Sequence, residues 1–499
     1  MAEFDWIRRL RLRTKCPHNE RSCSNHLAPS DPLDNSIESE TSPEPRNTFP
    51  GSAIPLPMQP VDRILRPLAR FLHIEASSGL FLVACTAIAL YAANSNYAAG
   101  YLAFWNTDVT LGFGKYVFHH SLRHVINDGM MAIFFFVIGL EVKRELAHGS
   151  LSSWKQATLP IAAACGGMLI PAGLYLSMQY GQPGMRGWGI PMATDIAFVI
   201  GCLALLGSRV PLSLRILLLS LAIVDDIGAI LVIAVGYTES LDYRYLGLAA
   251  ICIAMVQGLS RIGVRNFPPY IVIGAIAWLM LHESGVHATL IGVILGLQTP
   301  ARAVLVPERF RDYLNNKKEE FGNGRWAKRR HRAEAVHEVQ RLTRELVSPL
   351  EYLEMTLHPW TAYIIMPLFA LANAGVTIEL GNLNDSVAIA VVLGLVVGKP
   401  LGILLFSWVV VKLGWAKLPA GIGWPVLFSG SCLAGIGFTM ALFIDGLAFG
   451  DAGPDTAKTG VLVGSAISAV LGMLLLWWTL PVIPKQASPT EDSVSNENT

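Results

Sequence analysis

Leu212 to Gly236 reads LSLRILLLSLAIVDDIGAILVIAVG, an apolar run with Asp225 and Asp226 side by side at its middle. Arg215, near the start, is its only other charge. As a helix, the run is long enough to cross the roughly 30 Å hydrocarbon core of a bilayer. A charged side chain at the bilayer centre costs about 2.5–3.5 kcal/mol on insertion scales, and such residues mark ion or proton pathways. A soluble core rarely buries two neighbouring carboxylates without partners. The pair thus bears on both location and task.

Composition points the same way. The chain has 499 residues, 52% hydrophobic and 15% charged, where a soluble domain carries roughly 25% charge. Its net charge of +1 does not suggest nucleic acid. Cys85, Cys165, Cys202, Cys252 and Cys432 lie in apolar segments as small hydrophobes. Cys16 and Cys23 sit near His18 and His26 in the polar start, but CPHNERSC has no C-x-x-C pair for zinc. No disulfide framework and no cofactor are expected.

Residues 1–60, rich in Ser, Pro, Asn and charge, read as a disordered tail, and 485–499 as a second polar tail. The start MAEFDWIRRLRLRTK lacks the apolar core of a cleaved signal. The domain between, 61–484, holds twelve apolar segments. They centre near 76–94, 127–141, 157–179, 187–206, 212–236, 245–259, 269–282, 285–299, 360–377, 387–411, 424–448 and 459–482. The seventh and eighth are separated only by His282-Glu283-Ser284, which suggests a tight hairpin. The expected fold is an all-α polytopic membrane protein of about twelve transmembrane helices.

Loop charge sets an expected orientation. Odd-numbered gaps carry Lys115 and Arg123, then Arg186, then Arg244, with no Lys or Arg at 282–284 or 378–386. Even-numbered gaps hold Lys143, Arg144 and Lys155, then Arg209, Arg261 and Arg265, and Lys412 and Lys417. The 300–358 connector adds twelve basic residues, and Arg63, Arg66 and Arg70 precede the first segment. The positive-inside rule then puts both termini in the cytoplasm. Nine acids interleave with the connector's bases, which argues for a solvated, partly helical face and against a nucleic-acid patch.

Two segments are marked for breakage. Segment four, GWGIPMATDIAFVIGC, has Pro191 before Thr194-Asp195; segment eleven, SGSCLAGIGFTMALFI, has Gly430, Gly435 and Gly437 before Thr439. Proline removes a helical donor and glycine weakens a helix interior. Backbone freed at membrane depth needs protein or a water-filled cavity to satisfy it. The two segments run antiparallel in this topology, as middle helices of inverted three-helix repeats, segments three to five and ten to twelve. Crossing at the midplane, they would face two positive half-helix ends to each other, and likewise two negative ends. Asp195 is a candidate anion for the first pair, and Lys399 in VVLGLVVGKPLGILLF a candidate cation for the second. The bland alternative is a Pro191 kink and glycines that merely allow close packing.

Adjacent helical residues point about 100° apart, so Asp225 and Asp226 cannot form one bidentate cage. One can face a cavity and the other a neighbouring charge, most simply Lys399. Sodium prefers oxygen ligands, which a carboxylate, Thr194 and unwound backbone would supply. Burial disfavours the charged carboxylate, so one group can hold a proton or release it to take a cation. Two rival classes remain open. An intramembrane aspartyl hydrolase needs two carboxylates, such as Asp195 and Asp226, but leaves Lys399 and the acid-free GIG break without a role. A sodium-coupled symporter of an organic solute would need polar groups that the mid-membrane segments scarcely offer.

Seven blocks then carry a resemblance. They are NDGMMAIFFFVIGLEVKREL from Asn127, MATDIAFVIG from Met192, AIVDDIGAI from Ala222, SGVHATLIGV from Ser284, HPWTAYIIMPLFALANAGV from His358, VGKPLGI from Val397 and GIGFTM from Gly435. Over roughly residues 62–483 the chain resembles the NhaA-type sodium/proton antiporters of bacteria, an inverted-repeat family. The resemblance implies an antiporter and not an enzyme, with Asp226 as main cation ligand and proton carrier and Asp225 beside it, paired with Lys399. It implies that Asp195 and Lys399 balance the half-helix ends and that Thr194 lies near the ion. It further implies electrogenic exchange of more than one proton per sodium or lithium, in the inner membrane, as a homodimer with a hairpin from the 93–124 loop.

The same resemblance implies activation at alkaline pH, with Glu141 and Glu145 among the sensors. Glu141-Val-Lys143-Arg144-Glu145 reads equally as a snorkelling interfacial cluster. Asp128 reads as a helix-start residue after Asn127, at a position the family treats as sensitive. His287 opens a segment as either a packing residue or a sensor. The connector at about 312–340 and both tails are longer than the family pattern.

Overall fold

The computed structural model describes residues 75–113, 116–238, 241–264, 266–303, 345–377, 384–450 and 455–480, with a few single positions between 311 and 342. The expected tails 1–60 and 485–499, Cys16 and Cys23, and most of the 300–358 connector lie outside these residues. All twelve apolar segments coincide with helical elements. Seven helices are long and apolar enough to cross a membrane. They are α3 (Leu122–Ala147), α4 (Trp154–Gln179), α6 (Leu212–Gly236), α7 (Tyr243–Ile262), α10 (Pro349–Asn373), α11 (Ser386–Lys412) and α14 (Asp455–Thr479).

Segments four and eleven are broken. The first is a 3-10 stretch, Pro183–Met192, followed by α5 (Ile196–Leu205) with a 45° bend. The second is α12 (Trp424–Ala434) followed by α13 (Phe438–Phe449) with a 47° bend. Further apolar helices among the described residues are α1 (Glu75–Ala93), α8 (Phe267–Glu283) and the nine-residue α9 (Leu290–Gln298). Helix–break–helix triplets thus occur twice: α4, the first broken span and α6, then α11, the second broken span and α14. Large apolar side chains on the outside, such as Val235 (84% exposed) and Ile271 (67%), suit lipid and not water.

The starts of three helices differ from the sequence reading. Helix α10 begins at Pro349, not near 360. Ser348 and Glu351 form a reciprocal capping box there, with Pro349 in the first turn. Polar Glu351, Glu354 and His358 had made this first part resemble connector. Helix α3 begins at Leu122, because Ser121 Oγ accepts from His124 N at 3.2 Å. Asp128 is therefore not a helix-start residue; it sits inside the helix, in a π turn at Ile126–Met130. Between α1 and α3 the chain makes a short helix α2 (Ala98–Trp105), bent 117° from α1, and an antiparallel pair, β1 (Asp108–Phe113) and β2 (Tyr116–Ser121). Helix α9 begins after a turn at Ser284–Thr289, so segment eight is shorter than read.

Helices α4 and α11 touch backbone to backbone. A Cβ on Gly166 would lie 2.1 Å from Gly402 O, and one on Gly402 2.0 Å from Gly166 O, so only glycine fits on either side. One turn away in α11, a π turn at Gly394–Gly398 precedes Lys399 and Pro400. Pro400 lacks an N–H, which opens the regular ladder at that point. The contact and the loosened turn carry Lys399 into the centre of the molecule, where it has no solvent exposure.

Candidate ion site

The two breaks meet. Asp195 N donates to Ile436 O at 2.7 Å, which joins the unwound backbone of one span to that of the other. The Asp195 carboxylate then caps both C-terminal half-helices at once. Its Oδ1 accepts from Phe198 N at 3.1 Å in α5, and its Oδ2 accepts from Thr439 N at 3.1 Å in α13 and from the Thr439 hydroxyl. A single anion thus lies between two positive helix ends. Phe438 N, next to Thr439, donates to Ser465 Oγ at 3.1 Å.

The opposite ends of the breaks carry carbonyls that have no partner within their own helix. Lys399 Nζ donates to Met192 O, which closes the 3-10 stretch, at 2.5 Å. Thr194 Oγ1 lies 3.0 Å from Ala434 O, the last carbonyl of α12. Negative helix ends therefore meet an ammonium and a hydroxyl, and each is satisfied. The tight turn leaves no spare room: a Cβ on Gly435 would stand 2.5 Å from Leu395 O.

The twin aspartates diverge from here. Lys399 Nζ lies 2.8 Å from Asp225 Oδ2, with both side chains fully buried. Thr194 Oγ1 also donates to that oxygen, at 2.5 Å. Asp225 Oδ1 and Asp226 Oδ1 are buried without a hydrogen-bond partner. Asp226 is 3% exposed, and the charges of Asp225, Asp195 and Glu141 all bear on it. Thr194, Asp195, Asp225, Asp226 and Lys399 are thus gathered at one place, with hard oxygen donors left over.

The remaining candidates lie elsewhere. Glu145 Oε2 accepts from Ser150 N at 2.9 Å and from Ser150 Oγ at 3.1 Å, and Ser150 Oγ lies 2.6 Å from Ser220 Oγ in α6. Arg144 pairs with Glu354 of α10. Glu141 stands on the same helix, α3, within electrostatic reach of Asp226. Asp128 faces His124 and His282, outside the centre. His287 Nε2 lies 3.0 Å from Tyr237 O, at the end of α6. Neighbouring Asn127 makes a reciprocal amide pair with Asn373, at 3.1 and 2.8 Å.

Two buried residues escaped the sequence reading. Thr439 follows the GIG break as Thr194 follows the Pro191 break, but its role depends on meeting Asp195 across the crossing. Asp445 in α13 is 1% exposed, and both its carboxylate oxygens lack a partner. It was visible as the lone acid of GFTMALFIDGLAF.

Comparison with known proteins places this architecture. The family model described as Na+/H+ antiporter 1 matches residues 69–476. A Na+/H+ antiporter NhaA of Rhodopirellula baltica is 75% identical over 87% of this chain and 98% of its own. An NhaA of Rhizobium meliloti is 50% identical over 84% and 96%. One of Acidiphilium cryptum, named NhaA 2, is 47% identical over 84% and 94%. A solved structure of a sodium proton antiporter of Methanocaldococcus jannaschii aligns at TM-score 0.41 and 11% identity over 84% of this chain and 97% of that one, a likeness too distant to carry weight. With the family model covering most of the chain and relatives this similar, the chain belongs to the NhaA family of Na+/H+ antiporters.

Proposed function

We propose that this protein is an electrogenic, pH-regulated antiporter that exports sodium or lithium in exchange for protons by alternating access. The observation that carries the reading is Asp226 Oδ1, buried and unpartnered beside an Asp225 already held by Lys399 and Thr194. An ionised carboxylate buried without a partner is costly. A proton or a desolvated cation removes that cost, and one carboxylate accommodates one of them at a time. Release to opposite sides of the membrane then turns competition into exchange. The leftover oxygens of Asp225 and Asp226, with the nearby Thr194 hydroxyl, fit a hard monovalent cation as cargo. No cofactor is needed, and no step is covalent.

A second proton has a place. A hydroxyl has one proton, yet Thr194 Oγ1 faces two acceptors, Asp225 Oδ2 and Ala434 O. If Asp225 takes a proton it donates to Thr194 Oγ1, and the threonine hydroxyl turns wholly to Ala434 O. Two protons against one monovalent cation would make exchange electrogenic. Lys399 either carries that proton itself or serves as the fixed partner of Asp225. Glu141, electrostatically coupled to Asp226, would relay cytoplasmic pH to the site, with Glu145 bracing α3 against α6 through Ser150. The names of the relatives favour exchange over solute symport and over any enzymatic role. We place the protein in the bacterial inner membrane with both termini cytoplasmic, and as a homodimer.

Proteoliposomes with an imposed pH gradient test this reading. Sodium should dissipate the gradient with the wild-type protein and not with Asp226→Asn. Solute-dependent sodium uptake without proton movement would overturn it.

A further inference from the structure

Three histidines far apart in sequence come together away from the ion site. His120 lies in β2, His124 in the first turn of α3 and His282 in the last turn of α8. One ligating atom from each lies within 4.8 Å of the other two, and all three side chains are half-buried. His124 Nε2 and His282 Nδ1 approach the same oxygen, Asp128 Oδ2, at 3.2 and 3.8 Å. We propose that His120, His124 and His282, with Asp128 beside two of them, form a binding site for a divalent transition-metal ion through three imidazole nitrogens.

The geometry is close to what such an ion requires. Bonds of about 2.0–2.1 Å to a tetrahedral zinc ion hold neighbouring ligand atoms about 3.3 Å apart. The two carboxylate–imidazole separations bracket that spacing. The three nitrogens, within 4.8 Å of one another, would close by about 1.5 Å at most. Ligation requires His120 and His124 to turn out of the stack they form here, because the in-plane lone pairs of parallel imidazoles do not converge on one ion. His120 and His124 stack at 4.3 Å and 14°, and Trp278 stacks on His282 at 5.8 Å and 12°. Imidazole suits zinc, copper and nickel, and the carboxylate beside them adds the negative charge that a dication favours. The bland reading is a packed cluster in which Asp128 pairs with His124 and His282, and metal titration separates the two.

The site would tie β2 to the start of α3 and the end of α8. None of its four residues belongs to the ion site, so the proposal stands or falls apart from the transport mechanism. The test uses the full-length protein, carrying an affinity tag other than polyhistidine, stripped with chelator and held in detergent. Zinc titrated against a chromophoric competitor should bind at one equivalent per chain, and cobalt should give the intense visible bands of a tetrahedral complex. His282→Gln and His124→Gln should each weaken zinc binding at least tenfold, while Asp226→Asn should bind as the wild type does. Sub-stoichiometric zinc, a cobalt spectrum indistinguishable from the aqueous ion, or undiminished binding by His282→Gln would overturn the proposal. The cobalt spectrum of the wild-type protein needs no variant, so a poorly folded substitution cannot rescue the idea.

Discussion

Lys399 Nζ stands 2.8 Å from Asp225 Oδ2, with neither side chain exposed to solvent. A buried ion pair repays its desolvation only through close geometry and further hydrogen bonds. Here Thr194 and the Met192 carbonyl supply them. The neighbouring Asp226 has no such escort on Oδ1. The contrast between two adjacent residues governs several expected outcomes.

Removing one member of the pair should cost more than removing both. Lys399→Met leaves Asp225 buried and unpaired, a loss of about 3–5 kcal/mol. The double variant Lys399→Met with Asp225→Leu should recover most of that stability. Thermal unfolding in detergent reads the difference. A double variant no more stable than the single would show that the pair is not what holds α11 to α6.

Lys399→Arg separates a proton carrier from a fixed cation. Arginine keeps the charge but cannot readily deprotonate. Electrogenic exchange in proteoliposomes should persist if Lys399 only balances Asp225 and the Met192 carbonyl. If net charge movement per sodium is lost while sodium still crosses, Lys399 carries the second proton.

Asp195→Ala removes the acceptor for Phe198 N and Thr439 N together. Each lost cap costs about 1–2 kcal/mol, and both half-helix ends lose their anion. Asp195→Asn keeps an acceptor oxygen and should fall between wild type and Asp195→Ala in melting temperature. Equal melting temperatures for all three proteins would sink the capping argument.

Asp445 carries a cost with no visible return. Its two oxygens are buried and unpartnered, so Asp445→Leu should raise stability by about 1–3 kcal/mol. Exchange should be unchanged. Stabilisation together with loss of exchange would instead make Asp445 part of the proton path.

Gly402→Ala should force α4 and α11 apart, because its Cβ would collide with Gly166 O. A loss of about 1–3 kcal/mol is expected from overpacking, with a parallel fall in transport as Lys399 shifts. Gly247→Ala in α7 meets nothing within 4 Å. It should be neutral or stabilising by about 0.5–1 kcal/mol. Melting curves for the two variants, side by side, check the contrast.

Much of this was legible in one dimension. Apolar runs of membrane length located the seven long helices and both broken spans among the described residues, since the cost of burying charge in lipid is written along the chain itself. Pro191, Gly435 and Gly437 marked both breaks, because they remove donors or helical preference whatever surrounds them. The residues around the breaks named Thr194, Asp195 and Lys399 as candidates. Legibility failed where a polar stretch is helical, as at Pro349, or where a cap lies upstream of the apolar run, as at Ser121. It failed also for Thr439, which matters only by meeting Asp195.

By itself the sequence determined that two carboxylates sit at the middle of an apolar run of membrane length and that two other apolar segments are interrupted. Hydrophobicity and backbone preference are properties of neighbouring residues, and a linear string carries them. The resemblance implied that Asp225 pairs with Lys399, and only the tertiary structure decided that Asp226 Oδ1 is left without a partner and that one aspartate caps two helices. Those outcomes depend on a 100° turn between adjacent side chains and on a glycine contact that sets how close α11 comes. Such terms arise between segments far apart in the chain, and no local pattern encodes them.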